Sequence, residues 1–128
     1  MLSTGIKGAQ SVEVTEDNTA ISLGSGDLPV FATPAMIALI EKTASLSVAP
    51  YLDIGTSTVG THLDVAHSSA TPVGMTGVCE TELTEIDRRR LVFSVRVYDS
   101  KGEVGSGTHE RFIVDSGKFM QKAELKRS

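Results

Sequence analysis

Residues 33–52 read TPAMIALIEKTASLSVAPYL, and this stretch decides the architecture of the chain. Thr33-Pro34 is a strong helix start: a threonine can cap free backbone N–H groups, and a proline in the first turn forfeits no helical hydrogen bond. The pattern predicts a helix that runs from Thr33 and stops near Pro50. Ala35 to Ile40 are apolar on every side of the helical wheel, which predicts that other structure wraps the first half of this helix.

On the N-terminal side, Ser11–Thr15 alternates apolar and polar residues as a short strand, and Gly24, Gly26 and Pro29 mark a loop. On the C-terminal side four extended segments follow. Val59, Thr61, Leu63 and Val65 form an apolar face in the first. The others are Gly74–Ile86, Leu91–Tyr98 and Val104–Val114. Asp87-Arg88-Arg89 and Ser100-Lys101-Gly102 read as hairpin turns between them. One early strand, a buried helix and an antiparallel meander predict an α+β fold of the hotdog layout. In it a long central helix is wrapped by a curved antiparallel sheet of about five strands. The expected organisation is one domain over 1–128, with 1–8 and 119–128 as terminal extensions. The lysine-bearing tail from Lys118 reads as a final strand or a frayed end.

At 128 residues the chain accommodates one ordinary domain. Twelve Lys and Arg against 16 Asp and Glu leave a formal charge of −4, which argues against a general nucleic-acid binder. Phe31–Ile40 is the longest mostly apolar run, far below the ~20 residues of a membrane helix, and the N-terminus lacks the apolar core of a secretory signal. The expectation is a soluble, cytoplasmic protein with neither nucleic-acid nor membrane partners. The single cysteine, Cys79, excludes an internal disulfide and a multi-cysteine zinc site, and reads as a small buried hydrophobe. With no Trp and 5% aromatics, the core rests mainly on Val, Leu, Ile, Ala and Met.

Three residues carry potential chemistry. Glu41 follows six apolar residues in mid-helix, where a carboxylate is costly unless paired or protonated; it either marks a site or marks where the helix leaves the core. His67 ends the strand of Val59, Thr61, Leu63 and Val65 with the parity of that face, so it should point inward. It is either a hydrogen-bonded core histidine or a general base. Thr33 reads as an N-cap, and the same position sets a hydroxyl beside helix N–H groups able to stabilise an oxyanion. Gly102, Gly105 and Gly107 lack the third glycine and the helix of a phosphate fingerprint, and Gly55 to Gly60 lacks the lysine of a P-loop. His62 and His109 have no metal-ligand spacing and read as structural or surface residues. Arg88, Arg89 and Arg90 read as a solvated turn.

FATPAMIALIE, THLDVAHSSATPVG and GSGTHERFIV together resemble the hotdog-fold acyl-CoA thioesterases of the fluoroacetyl-CoA thioesterase type, from about Ser11 to Val114. The resemblance implies hydrolysis of an acyl-CoA to a carboxylate and free CoA, without a further cofactor. It implies Thr33, Glu41 and His67 as the catalytic group, with Gly60 and Arg111 as substrate contacts. Gly60 would allow close approach and Arg111 would supply a cation. A fluorine-selective member is expected to carry an aromatic lid just before the helix. Gly24–Val30, GSGDLPV, contains no aromatic, which points to general acyl-CoA hydrolysis. Eight helical residues separate Thr33 from Glu41 by about 12 Å, too far for direct contact. Because hotdog proteins generally pair, the expectation is a homodimer with composite sites. Two alternatives carry different chemistry. A hotdog hydratase or dehydratase typically has an Asp-x4-His spacing, whereas Asp64 and His67 are three apart. A non-catalytic acyl-CoA-binding module would need a further domain.

Overall fold

The structure, a computed structural model, describes residues 1–127. Strand β1 spans Lys7–Glu13, and a short helix α1, Ala20–Leu23, opens the loop that precedes helix α2, Thr33–Val48. Strands β2 (Thr56–His67), β3 (Thr76–Asp87), β4 (Arg90–Asp99) and β5 (Gly102–Asp115) follow, then helix α3 (Ser116–Glu124) and a 3-10 turn over Leu125–Arg127, the last described residues. All pairings are antiparallel, in the order β1-β3-β4-β5-β2. The α+β architecture read from the sequence is therefore present, with α2 lying across one face of the sheet.

Helix α2 buries Met36, Leu39, Ile40, Thr43, Ala44 and Val48. The three-and-four spacing of these residues makes one stripe, and it packs chiefly against β1 and β3. It meets Cys79 and Leu83 of β3, Leu91, Phe93, Val95 and Val97 of β4, and Val104 of β5. Full burial of each large aliphatic contributes about 1.5–3 kcal/mol, so this stripe is the main weld between helix and sheet. Gly8 of β1 lets the strand approach: an added Cβ would lie 2.7 Å from Cβ of Ser47 and 2.9 Å from the Thr43 carbonyl. The opposite sheet face is polar. Arg90 pairs with Glu85 and Glu110, each at 2.8 Å, and Arg96 lies 3.6 Å from Glu80 with its guanidinium over the Tyr98 ring. One dry and one wet face follow from the alternation along β4 and along β3 as far as Leu83.

Several expectations are corrected. The helix is not wrapped on every side: Ala38 is exposed and Ala35 and Ile37 are half-buried, because one sheet covers only one stripe. The early strand is Lys7–Glu13 rather than Ser11–Thr15, and Gly5 N–H and the Ile6 carbonyl already bond Leu83. Residues 5–8 thus belong to the fold, not to an extension. The tail forms α3 rather than a strand, started by Asp115, whose side chain accepts from Lys118 N–H; Ser128, the last residue of the expected extension, lies outside the described residues. Arg88 and Arg89 are exposed as expected, whereas Arg90 lies in β4 and is ion-paired. Among the described residues no helix is long and apolar enough to cross a membrane.

Candidate active site

The N-terminus of α2 and the end of β2 meet at one point. Ala32, at φ −76° and ψ 143°, occupies the cap, and Thr33 is already the first helical residue, with Pro34 in the first turn. Thr33 is therefore not the N-cap that its sequence suggested. Its hydroxyl instead lies 2.7 Å from Nδ1 of His67. The free N–H groups of the helix start surround it with the positive end of the helix dipole. The pair lines a cleft of about 260 Å³ with Val30, Phe31, Ser68 and Ser69. Phe31 sets its ring edge-on to His67, with centroids 6.4 Å apart. Burial is the main effect holding the His67 imidazole below its ordinary value of 6.5, with the Ser69 backbone pulling the other way. Nε2 of His67 is enclosed without a hydrogen bond among the described residues. A neutral imidazole next to a hydroxyl is a competent proton acceptor at neutral pH.

Near the middle of α2 stands a second group. Glu41 Oε2 lies 3.4 Å from Nη1 of Arg111, and the two side chains are 41% and 7% exposed. Arg111 on β5 donates Nε–H to Thr58 Oγ1 at 2.8 Å and Nη2–H to the Thr58 carbonyl at 3.0 Å. Its Nη1 also lies 3.1 Å from Nε2 of His109. The buried His109 has Nδ1 2.8 Å from the His62 carbonyl. A carbonyl can only accept, so Nδ1 carries the proton and Nε2 accepts from Arg111. Burial first, then the Arg111 charge, hold His109 below its ordinary value against the raising influence of the His62 carbonyl and the carboxylates. His109 also stacks on Phe93. Arg111 is thus a buried cation with four contacts to protein acceptors, Thr58 Oγ1, the Thr58 carbonyl, His109 Nε2 and Glu41. Burial lowers its affinity for its proton, and Glu41 is what opposes this.

Gly60 joins this group for a reason of space. A Cβ there would collide with Glu41 Oε2 and lie 3.3 Å from Arg111 Nη1 and from His109 Cε1. The strand pairing explains why a residue outside the expected face points inward. Gly60 stands opposite Arg111 and Leu63 opposite His109, so Thr61 is the extra residue of a bulge. Leu63, Val65 and His67 share the inward face as read from the sequence. Val59 and Thr61 do not, and beyond the bulge that face passes to Gly60 and Thr58.

Of the five candidate residues, the structure brings Thr33 to His67, and Glu41 to Gly60 and Arg111. It does not bring the two groups together, since about 12 Å of helix separates Thr33 from Glu41. Sequence reading missed Thr58 and His109 as partners of Arg111. The alternation Gly107-His109-Arg111 along β5 was the available signal, because it sets all three on one face. Cys79 is buried, and burial pushes its thiol up, in keeping with a packing role. No group of three or more His, Cys, Asp or Glu among the described residues could hold a metal.

Fold and site together define a hotdog thioesterase architecture. The solved structure of fluoroacetyl-CoA thioesterase superposes at a TM-score of 0.92 with 34% identity, covering 98% of each chain. A mutant of that enzyme in complex with acetyl-CoA superposes at 0.93 with 32% identity, covering 99% of this chain and 100% of the other. A Thermus thermophilus thioesterase-superfamily protein shares the fold at a TM-score of 0.86 and 23% identity, over 99% and 93% of the chains. The fluoroacetyl-CoA thioesterase of Streptantibioticus cattleyicolor is 41% identical over 97 residues, 76% of this chain and 70% of that one. The family model described as fluoroacetyl-CoA-specific thioesterase matches residues 14–117, and the chain belongs to that family.

Proposed function

We propose that the protein hydrolyses acyl-CoA thioesters at sites assembled from two copies of the chain. The observation that carries the chemistry is the 2.7 Å contact between the Thr33 hydroxyl and His67 at a helix N-terminus. The thioester carbonyl sits at that terminus, where N–H groups and the dipole stabilise its developing negative charge. Neutral His67 takes the Thr33 proton as Oγ1 attacks the carbonyl carbon, and the C–S bond breaks to release CoA thiolate, which takes the proton. Water, deprotonated by the same imidazole, then attacks the Thr33 ester; the acyl–Oγ1 bond breaks, and the imidazolium returns its proton to Thr33 Oγ1 as the acid is released. The balance is thioester plus water to carboxylate, thiol and one proton, and it calls on no cofactor.

Glu41, held in place by Arg111 and the Gly60 backbone, supplies the carboxylate that orients the attacking water. Its distance from Thr33 within one chain supports a composite site. Strand β2 is an edge of the sheet, and Gly60, Thr61 and His62 on it are exposed. Such an edge templates pairing with a second strand, and two-fold pairing through β2 runs two α2 helices antiparallel. The Glu41 of one copy then approaches the Thr33 and His67 of the other. Since the Gly24–Val30 loop has no aromatic lid, the substrate is a general acyl-CoA rather than the fluoroacetyl ester alone. Conversion occurs in the cytoplasm, where CoA thioesters are made and used.

A mixing experiment tests both halves. Purified Glu41→Ala and His67→Ala proteins are each expected to release little thiol from acyl-CoA. After unfolding and refolding together, half the dimers are mixed and each holds one intact site, so about a quarter of wild-type activity returns. No recovery would remove the composite site. Binding without thiol release by the wild type would instead indicate an acyl-CoA-binding module, and loss of a conjugated double bond without thiol release would indicate a hydratase.

A further inference from the structure

Phe31, 1% exposed, lines two separate spaces. On one side is the cleft of Thr33 and His67, polar at Ser68 and Ser69. On the other is a predominantly apolar trough of about 400 Å³ between β1, α1 and α2, lined by Val12, Leu23, Pro34, Ala35, Ala38 and Leu39 as well as Phe31. The Phe31 ring is enclosed by its neighbours. It meets the His67 ring edge-on, a Cβ at Gly77 of β3 would lie 3.7 Å from it, and its backbone N–H bonds the Thr71 carbonyl. Its carbonyl side is followed at once by the cap of α2, so ring and nucleophile are fixed by the same few residues.

We infer that Phe31 is the wall that sets how long an acyl chain the site accepts, and that the trough behind it is a ready extension of the acyl pocket. This rests on the thioesterase reading above. An acyl group whose carbonyl lies against Thr33 meets Val30 and Phe31 after a few carbons and cannot reach the apolar trough. Shortening the Phe31 side chain joins the two spaces, and a longer chain then buries its methylenes against Val12, Ala35, Ala38 and Leu39. The extension is favourable because those walls are already apolar and partly uncovered.

The test measures kcat/KM for acetyl-, butanoyl-, hexanoyl- and octanoyl-CoA by thiol release. Phe31→Leu and Phe31→Ala are compared with the wild type; the leucine variant retains most of the packing and guards against loss of the fold. The expected result is a rise of the octanoyl-to-acetyl ratio of about tenfold or more, the scale on which a hydrophobic pocket counts methylenes. Filling the trough should reverse it: Phe31→Leu combined with Ala38→Phe returns the ratio to the wild-type value, while Ala38→Phe alone leaves acetyl-CoA hydrolysis unchanged. An equal fall along the whole series, with the ratio unmoved in the leucine variant, would overturn the inference and leave Phe31 as core packing. A wild type that hydrolyses none of the series would overturn the thioesterase reading itself, a separate outcome.

Discussion

The two ends of the site are satisfied to very different degrees. At the Thr33 end, one hydrogen bond joins an exposed hydroxyl to an imidazole whose Nε2 has no partner among the described residues. At the Glu41 end, a guanidinium only 7% exposed is held by both acceptors of Thr58, by Nε2 of His109 and by the carboxylate, and a missing side chain at Gly60 makes the room. Under-satisfied polar groups beside a cleft are where reaction partners can bind. Fully engaged ones rigidify and position. In the proposed mechanism the first end transfers protons and the second places a carboxylate, and the difference supports that division.

The contrast can be broken most sharply with His67→Ala. Removal of a general base costs roughly 10²–10⁴ in turnover, and a half-buried side chain with one hydrogen bond leaves the urea midpoint nearly unchanged. A large fall in the midpoint with modest loss of turnover would reverse the roles of the two ends. Arg111→Met should do the opposite. It strips Glu41, Thr58 and His109 of a shared partner, and we expect a stability loss of about 2–4 kcal/mol by urea unfolding, toward the low end because Glu41 is partly solvated. Lysine should not restore it, since one ammonium cannot replace the planar fork.

The smallest effect is that of pH. Both His67 and His109 titrate below the ordinary 6.5 when folded. As pH falls below 6.5 the unfolded chain takes up protons that the folded chain refuses, so stability is full above that pH and declines below it. Activity should persist into the same acidic range, because His67 is still neutral there. A pH–rate profile whose acid limb lies above 6.5 would contradict the burial of His67.

Much of this was legible without coordinates. Thr33-Pro34 located the helix start, Glu41 stood out as a carboxylate within an apolar run, and His67 carried the right parity with Leu63 and Val65. The capping role of Thr33 was misread because a cap is defined by backbone dihedrals, and Ala32 took the extended geometry that the sequence offered to Thr33. The inward face of β2 was misread before Leu63 because the bulge at Thr61 is decided by pairing with β5. Nothing in the composition of VGTHL announces the extra residue. The partners of Arg111, Thr58 and His109, were not legible, since charge is visible in a sequence and burial is not.

The sequence by itself determined the α+β layout, through the switch from a helical to a two-residue period after Pro50, and it determined which residue types were available for chemistry. Only the tertiary structure decided which of them meet. Local pattern acts over a helical turn or a strand, whereas the Thr33–His67 and Glu41–Arg111 contacts join residues 34 and 70 positions apart. Their formation depends on register, bulge and close approach at Gly60, which are properties of the packed sheet and helix rather than of any segment alone.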